Sequence, residues 1–526
     1  MSVDKTASET ISRAGWGILL TVGFGVAVVI MDATIVNVAL PVVMVDLGLS
    51  AADAQWLNAS YALTFAALLI TVGRLGDING RRRMFAAGIA LFIAASVVAG
   101  SAGGAGVLIA ARFLQGVGAA MVVPSTLSIL NSTFAGRARN IAFAVWGSAI
   151  GGMAALGPLL GGWLATNVSW RWAFWVNIPL GLLILFGIAR AVPESKDPNA
   201  PASVDLTGAA LSMLGMGALV FGLIEGSWFG WWRQQDGSLS PVPLALALGV
   251  LIMVGFVWLE ASRSEGTGLV NLGLFKITTF RFGVIAALIV AFGEFGLLFT
   301  LPLLLQGTLG YSALTTGGVI AVLALGTFLI SGMLPRLSGV LSQRLIVQIG
   351  LLLEAIAVGG LALTLGLEVS GWVVSGWLFA YGVGVGMATA QLTSLLLSDV
   401  PRTQSGQASG LQSSVRQVGS ALGVALLGGL LVARLESGTR SGLESLGLAS
   451  GQVEGLTQAV KDSGGIAIAG LQHTGPANVA LAASQAMIDA SRVTTAAAAL
   501  ALIVGLLATF ALPKTAAARD TSTLEN

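Results

Sequence analysis

The chain has 526 residues, 55% of them hydrophobic and 10% charged, against roughly 25% charged residues in a soluble globular domain. That composition, with a mean hydropathy of +0.89, excludes a soluble fold and with it a soluble enzyme. The net charge of +2 is spread along the chain without a basic arm or patch, so nucleic acid is not an expected partner, and the absence of cysteine excludes disulfides and thiolate chemistry.

A spanning helix needs about 20 mostly apolar residues. The polar stretch 1–15 is read as a cytoplasmic N-terminus without a removable signal peptide. Length, glycine and proline punctuation and charge clusters then give spans near 16–40, 54–74, 84–102, 106–130, 141–165 and 172–190. Two more follow near 205–226 and 241–260, and six more near 280–305, 315–335, 345–366, 371–396, 408–433 and 493–513. The expected total is about fourteen. The fold class is all-α integral membrane, with 16–190 and 276–513 as two six-helix bundles and 191–275 as a linker with two extra spans. The segment 434–490 is expected as an outer loop with marginal helices, and 514–526 as a cytoplasmic tail.

Positive residues are retained on the cytoplasmic side. With the N-terminus inside, eighteen of the 26 Lys and Arg fall on inner segments and six on outer ones, which predicts an even number of spans and both termini cytoplasmic. The remaining two, Arg112 and Arg416, lie within spans. Trp228, Trp231 and Trp232 cluster at the outer end of the seventh span, where indole rings favour the interface.

Two carboxyl groups stand out in the apolar spans. Asp32 lies about 16 residues past Trp16, roughly 24 Å along its helix, in the outer part. It reads either as a proton or cation site facing a cavity or as a helix-end carboxylate near the headgroups. Glu294 lies roughly 21 Å into its span, near the midplane. Burial there disfavours the charged form, as a titrating coupling group requires; the alternative is a neutral glutamate bonded to Gln306 or Thr300. Glu354 is also deep but ranks lower, because the fold that the motifs below resemble tends to place its helix at the periphery. Arg112 stays charged and needs partners, serving either to organise a nearby carboxylate or to bond backbone carbonyls. Asn58, Tyr61, Gln115, Gln306 and Gln412 are candidate cavity residues for substrate, or interhelical hydrogen bonds.

Several motifs carry a resemblance. The loop GRLGDINGRRR, Gly73 to Arg83, is similar to the loop between the second and third helices of the major facilitator superfamily. MDATIVNVALP, Met31 to Pro41, looks like the first-helix signature of that superfamily's fourteen-span drug:proton antiporters. LIAARFLQGVGAA resembles the fourth helix of proton-linked members, and GSAIGGMAALGPLLGGW resembles the fifth-helix motif of antiporters. WRWAFWVNIPLG and QSSVRQVGSALGVAL also match, whereas LPRLSGVLSQR is a faint echo of the first loop without its acidic residue.

The resemblance implies an alternating-access exporter of small amphipathic, cationic compounds such as drugs and dyes, in a bacterial inner membrane. It implies Asp32, Glu294 and Arg112 as proton-coupling residues, and Gly73, Asp77, Arg81, Arg82, Gly157, Pro158, Gly161 and Gly162 as gating residues. The first loop would act as a latch on the state open to the outside. No cofactor beyond the proton gradient, no metal and no catalytic residue is expected, and the protein is expected to work as a monomer in the bilayer. A proton symporter, an exporter of one metabolite and a non-transporting sensor are the alternatives. No GxxxxGK[ST] phosphate loop is present, which disfavours an ATP-driven pump.

Overall fold

A computed structural model describes residues 11–134, 136–196, 205–234, 238–263, 270, 272–337, 340–396, 398–400 and 405–512. Seventeen α-helices run in chain order: α1 Arg13–Leu47, α2 Ala51–Asn79, α3 Arg81–Gly100, α4 Ala105–Thr133, α5 Gly136–Asn167, α6 Trp172–Trp175, α7 Asn177–Ala191, α8 Leu206–Phe229, α9 Val242–Ser262, α10 Thr278–Gly307, α11 Ala313–Leu337, α12 Gln343–Thr364, α13 Gly371–Leu396, α14 Ser405–Ser445, α15 Ser450–Asp462, α16 Ala467–Thr474 and α17 Ala477–Thr509. The expected all-α architecture is present as two six-helix bundles, α1–α7 with α6 and α7 forming one span, and α10–α14 with α17.

Twelve helices among the described residues are long and apolar enough to cross a membrane, two fewer than the expected fourteen. The long helices α2 and α5 are not among the twelve. Both nonetheless run inside the assembly, α2 between α4 and α14, and α5 between α1 and α11.

Short turns set the helix order. Ser50 starts α2 with a capping box, its hydroxyl accepting from Asp53 N–H while the Asp53 carboxylate accepts from Ser50 N–H. Between α2 and α3 only Gly80 intervenes, at φ +121, a backbone conformation that a Cβ would disfavour. The Ser50 turn marks one end of the bundle and the Gly80 turn the other.

α8 packs along both α2 and α14, so the inserted pair seals one seam between the halves. Ala59 and Ala62 of α2, Val220 and Ile224 of α8, and Ala421 and Ala425 of α14 meet there in one buried cluster. α9 lies outermost, with Leu251 at 66% and Trp258 at 72% exposure, as a helix apolar on all sides does when its solvent is lipid.

The segment expected as a loop with marginal helices, 434–490, is instead almost wholly helical. α14 continues to Ser445 and α17 begins at Ala477. At 1.5 Å per residue, a 41-residue helix is about 60 Å long, twice the hydrocarbon thickness. Both therefore project beyond the Ser50 end, where α15 and α16 fold back over the bundle. Hydropathy marks where apolar side chains stop, and these helices continue past that point with charged side chains.

Candidate functional site

Asp32 sits close to the middle of the 35-residue α1. The expectation of an outer position is corrected, because the helix runs on to Leu47 through Pro41. The side chain is fully buried and meets three donors: Arg112 Nη1 at 2.6 Å on Oδ2, and Gln115 Nε2 at 3.0 Å and Asn177 Nδ2 at 2.7 Å on Oδ1. Arg112 also donates to Gln115 Oε1 and to the carbonyl of Leu57. Ser96 accepts from Gln115 and Asn177 and donates to Phe92 O. Five helices, α1, α2, α3, α4 and α7, are thus tied by one charge-balanced network. A buried carboxylate is tolerated when paired and fully hydrogen-bonded in this way.

Arg112 links this network to a cavity. Its guanidinium lies 4.3 Å above the Tyr61 ring, a cation–π arrangement that is strongest when desolvated. Arg112 and Tyr61 both line a cavity of about 230 Å³ between the halves, while Asp32 stands behind them and does not reach the wall.

The opposite wall carries Glu294 of α10. Its partner is Arg416 of α14, at 3.5 Å, rather than Gln306 or Thr300: Thr300 donates to Leu297 O and Gln306 to Val38 O. Both members of this pair line the cavity, with Glu294 14% and Arg416 30% exposed. The two carboxylates therefore differ. Asp32 is locked by three donors out of reach of the cavity, whereas Glu294 makes one loose ion pair at its surface. Asn58, Phe65, Phe295 and Leu298 supply further wall, mixing apolar area with a few polar groups, as small-molecule sites do.

Of the five candidate substrate residues, Asn58 and Tyr61 reach the cavity. Gln115 belongs to the Asp32 network, Gln306 bridges α10 to α1, and Gln412 donates to Thr393 Oγ1 at 2.6 Å. Each satisfies an interhelical hydrogen bond away from the wall. Asn177, Ser96 and Arg416 join the site beyond the residues that the sequence singles out. Arg416 carried a usable signal, since a cation inside a span demands an anion; Asn177 and Ser96 are ordinary residues near span ends and carried none.

The glycine motif of α5 closes the second seam. Gly157 and Gly161 face Thr34 and Ile35 of α1, and a Cβ on Gly161 would stand 2.7 Å from Ile35 O. Gly162 faces α11, where a Cβ would stand 2.4 Å from Ala313 O, and Pro158 O lies against Gly317. The backbones of α5 and α11 touch only because no side chain intervenes at Gly162 and Gly317. These contacts and the Gln306 bond all lie toward the Ser50 end, so that end is shut.

At the Gly80 end the arginine run holds the tail of its own half. Arg82 N–H donates to Glu194 Oε1, Arg82 Nη2 donates to Ala189 O, and Arg83 Nε lies 3.6 Å from Glu194 Oε2. Arg81 N–H donates to Ser195 O. Gly73 packs on Pro124 of α4. The Asp77 side chain lies outside the described residues. Among the described residues, then, the partners of Arg82 and Arg83 lie in the same half, not across the mouth, and Glu194 joins the set.

The model of the Major Facilitator Superfamily matches residues 22–424. The chain is 33% identical to the tetracenomycin C resistance and export protein of Streptomyces glaucescens over 437 residues, 82% of this chain and 79% of that one. It is 36% identical to the probable actinorhodin transporter of Streptomyces coelicolor over 421 residues, 78% and 71% of the two chains. With the multidrug efflux pump LfrA of Mycolicibacterium smegmatis it shares 32% over 432 residues, 81% and 83%. In fold it is similar to a bacterial homologue of the human lysosomal transporter Spinster, with a TM-score of 0.64 at 19% identity, covering 95% of this chain and 98% of that one.

Proposed function

The chain belongs to the Major Facilitator Superfamily, and from that premise we propose that it is a proton-coupled antiporter exporting small amphipathic, positively charged compounds across a bacterial cytoplasmic membrane, with both termini cytoplasmic. The observation that carries the reading is the placement of one carboxylate–guanidinium pair in each half, flanking one cavity at mid-depth. In this arrangement the Ser50 end is the outer end and is closed, so the cavity belongs to the side from which cargo is collected. At about 230 Å³ it is smaller than the roughly 300–1,000 Å³ of drug-sized sites, and loading widens it.

Glu294 is the exchange point. A cationic substrate displaces Arg416 from it; on opening outward, a proton from outside replaces the substrate. Asp32 acts more slowly, because protonating it frees Arg112 and loosens five helices together, which suits a group that registers the conformational change. Exchange of one proton for one monovalent cation moves no net charge, whereas two protons per cation make the cycle gain about 2.3 kcal/mol per 100 mV of membrane potential.

The test uses everted vesicles loaded by an imposed pH gradient, with ethidium as the probe. Glu294→Gln is expected to abolish gradient-driven ethidium movement while leaving ethidium exchange down its own gradient. Gradient-driven movement at the wild-type rate would refute the assignment. A second reading, export of one specific metabolite, is favoured by the names of two relatives, each given for a single compound. Competition between ethidium and a panel of unrelated cations separates the two: a specific exporter ignores the panel.

A further inference from the structure

Among the described residues, Glu354, in the middle of α12, is a deep carboxyl group that the cycle above leaves unused. It is fully buried, and neither carboxyl oxygen has a hydrogen-bond partner. It does not lie on a peripheral face, as its helix position suggested. Its Cγ fills the space beside Gly384 of α13, where a Cβ would come within 2.6 Å of it. The Tyr381 ring lies on the same helix one turn earlier; that side chain too is buried, and its hydroxyl is without a partner.

Charges face this group from two further helices, Glu294 of α10 and Arg416 of α14, both near enough to interact with it electrostatically. α17, which also packs on α12, presents Ala498, Ala499 and Leu502 to the core at this level. The charge balance is then informative. Asp32 is matched by Arg112 and Glu294 by Arg416. An ionised Glu354 would be a third, unmatched negative charge with no donor on either oxygen, a strongly unfavourable arrangement in a low-dielectric interior.

We propose that Glu354 is a proton-holding carboxyl of the C-terminal half: it carries a proton while Glu294 is paired with Arg416, and gives it up when a cationic substrate takes Arg416's place at Glu294. The logic is electrostatic. A guanidinium released from Glu294 leaves an unmatched positive charge within electrostatic reach of Glu354, which balances it by losing its proton. The carboxyl O–H bond breaks, its electron pair stays on oxygen, and the proton leaves to solvent on the collecting side. Each transported cation is then linked to one more proton than Glu294 alone would exchange.

This inference rests on the antiport reading for its coupling but not for its protonation, so the two are read separately in the full-length protein in lipid vesicles. Infrared difference spectra at neutral pH are expected to show a protonated-carboxyl C=O band that disappears in Glu354→Gln and persists, shifted, in Glu354→Asp. On ethidium addition, proton release per bound ethidium is expected to fall by one in Glu354→Gln. Absence of the band, or its persistence in Glu354→Gln, overturns the proposal. A band assigned to Glu354 with unchanged proton release overturns its coupling role. Should the wild type release no protons with ethidium while the band is present, Glu354 keeps its proton on binding and its coupling role is overturned, while the antiport reading is judged separately by Glu294→Gln. Should Glu354→Gln not fold, the wild-type band and its persistence in Glu354→Asp decide the question.

Discussion

Asp32 and Glu294 both lie near the middle of the first helix of a half, yet their surroundings divide the work between them. Removing one member of a buried, hydrogen-bonded pair costs about 3–5 kcal/mol, because the other is left charged and unpaired. Asp32→Asn is therefore expected to lower the thermal unfolding midpoint in detergent sharply, and Asp32→Asn with Arg112→Gln to recover part of the loss. The same comparison at Glu294 is expected to give a much smaller change, since Arg416 is partly exposed and can turn into the cavity. Equal losses at the two positions would contradict the assigned difference. Asp32, Arg112 and Gln115 were legible in the sequence because charge and amide groups are anomalies in an apolar span. What the sequence does not carry is their pairing: Glu294 and Arg416 are brought together only by α10 packing on α14, and Asn177 reaches Asp32 only through the register of α7 on α1.

Helices rather than residues decide how the seams behave. The α5–α11 seam depends on Gly162 and Gly317, and a side chain at either point meets backbone that cannot yield as a flexible side chain would. Gly162→Val is expected to prop this seam apart and bias the protein toward opening at the Ser50 end. The chain has no cysteine, so Asn37→Cys, on the cavity wall, reports directly. Membrane-impermeant thiol reagent added outside should label Asn37→Cys several-fold faster in the Gly162→Val background, and unchanged labelling would show that the seam does not gate. The α5 motif was readable because small residues at helical spacing signal close approach. The extended ends of α14 and α17 were not, because hydropathy follows the bilayer and not the helix. Arg434, Glu436, Arg440 and Glu444 end the apolar run without ending α14, whose stop comes only before Gly447, in the left-handed region at φ +72.

At the scale of the whole molecule, the cap built from those extensions has a second consequence. The turn between α15 and α16 enters the Ser50 end where the halves meet. Gly464 lies against Ala51 of α2 and near Met44 of α1 and Leu303 of α10, while Gly465 O and Ile466 pack on Gly307. Lys461, buried beside it, is held by Glu436 of α14 at 3.0 Å. The turn therefore touches both halves and is anchored to one, so α2 must slide away from it whenever that end opens. A Cβ on Gly464 would stand 3.4 Å from Ala51 Cβ, close to the roughly 3.5–4.5 Å that a disulfide spans. Gly464 has φ +58, where a cysteine costs about 1–2 kcal/mol, a strain that a bundle of this size can absorb. In Ala51→Cys with Gly464→Cys, oxidation is expected to stop ethidium transport while preserving ethidium binding from the Gly80 side. Reductant is expected to restore transport, and neither single variant should respond to oxidant. If the oxidised, fully bridged protein still transports at the wild-type rate, α2 does not part from the cap during the cycle. The Ser50 end would then open by some movement other than separation of the halves.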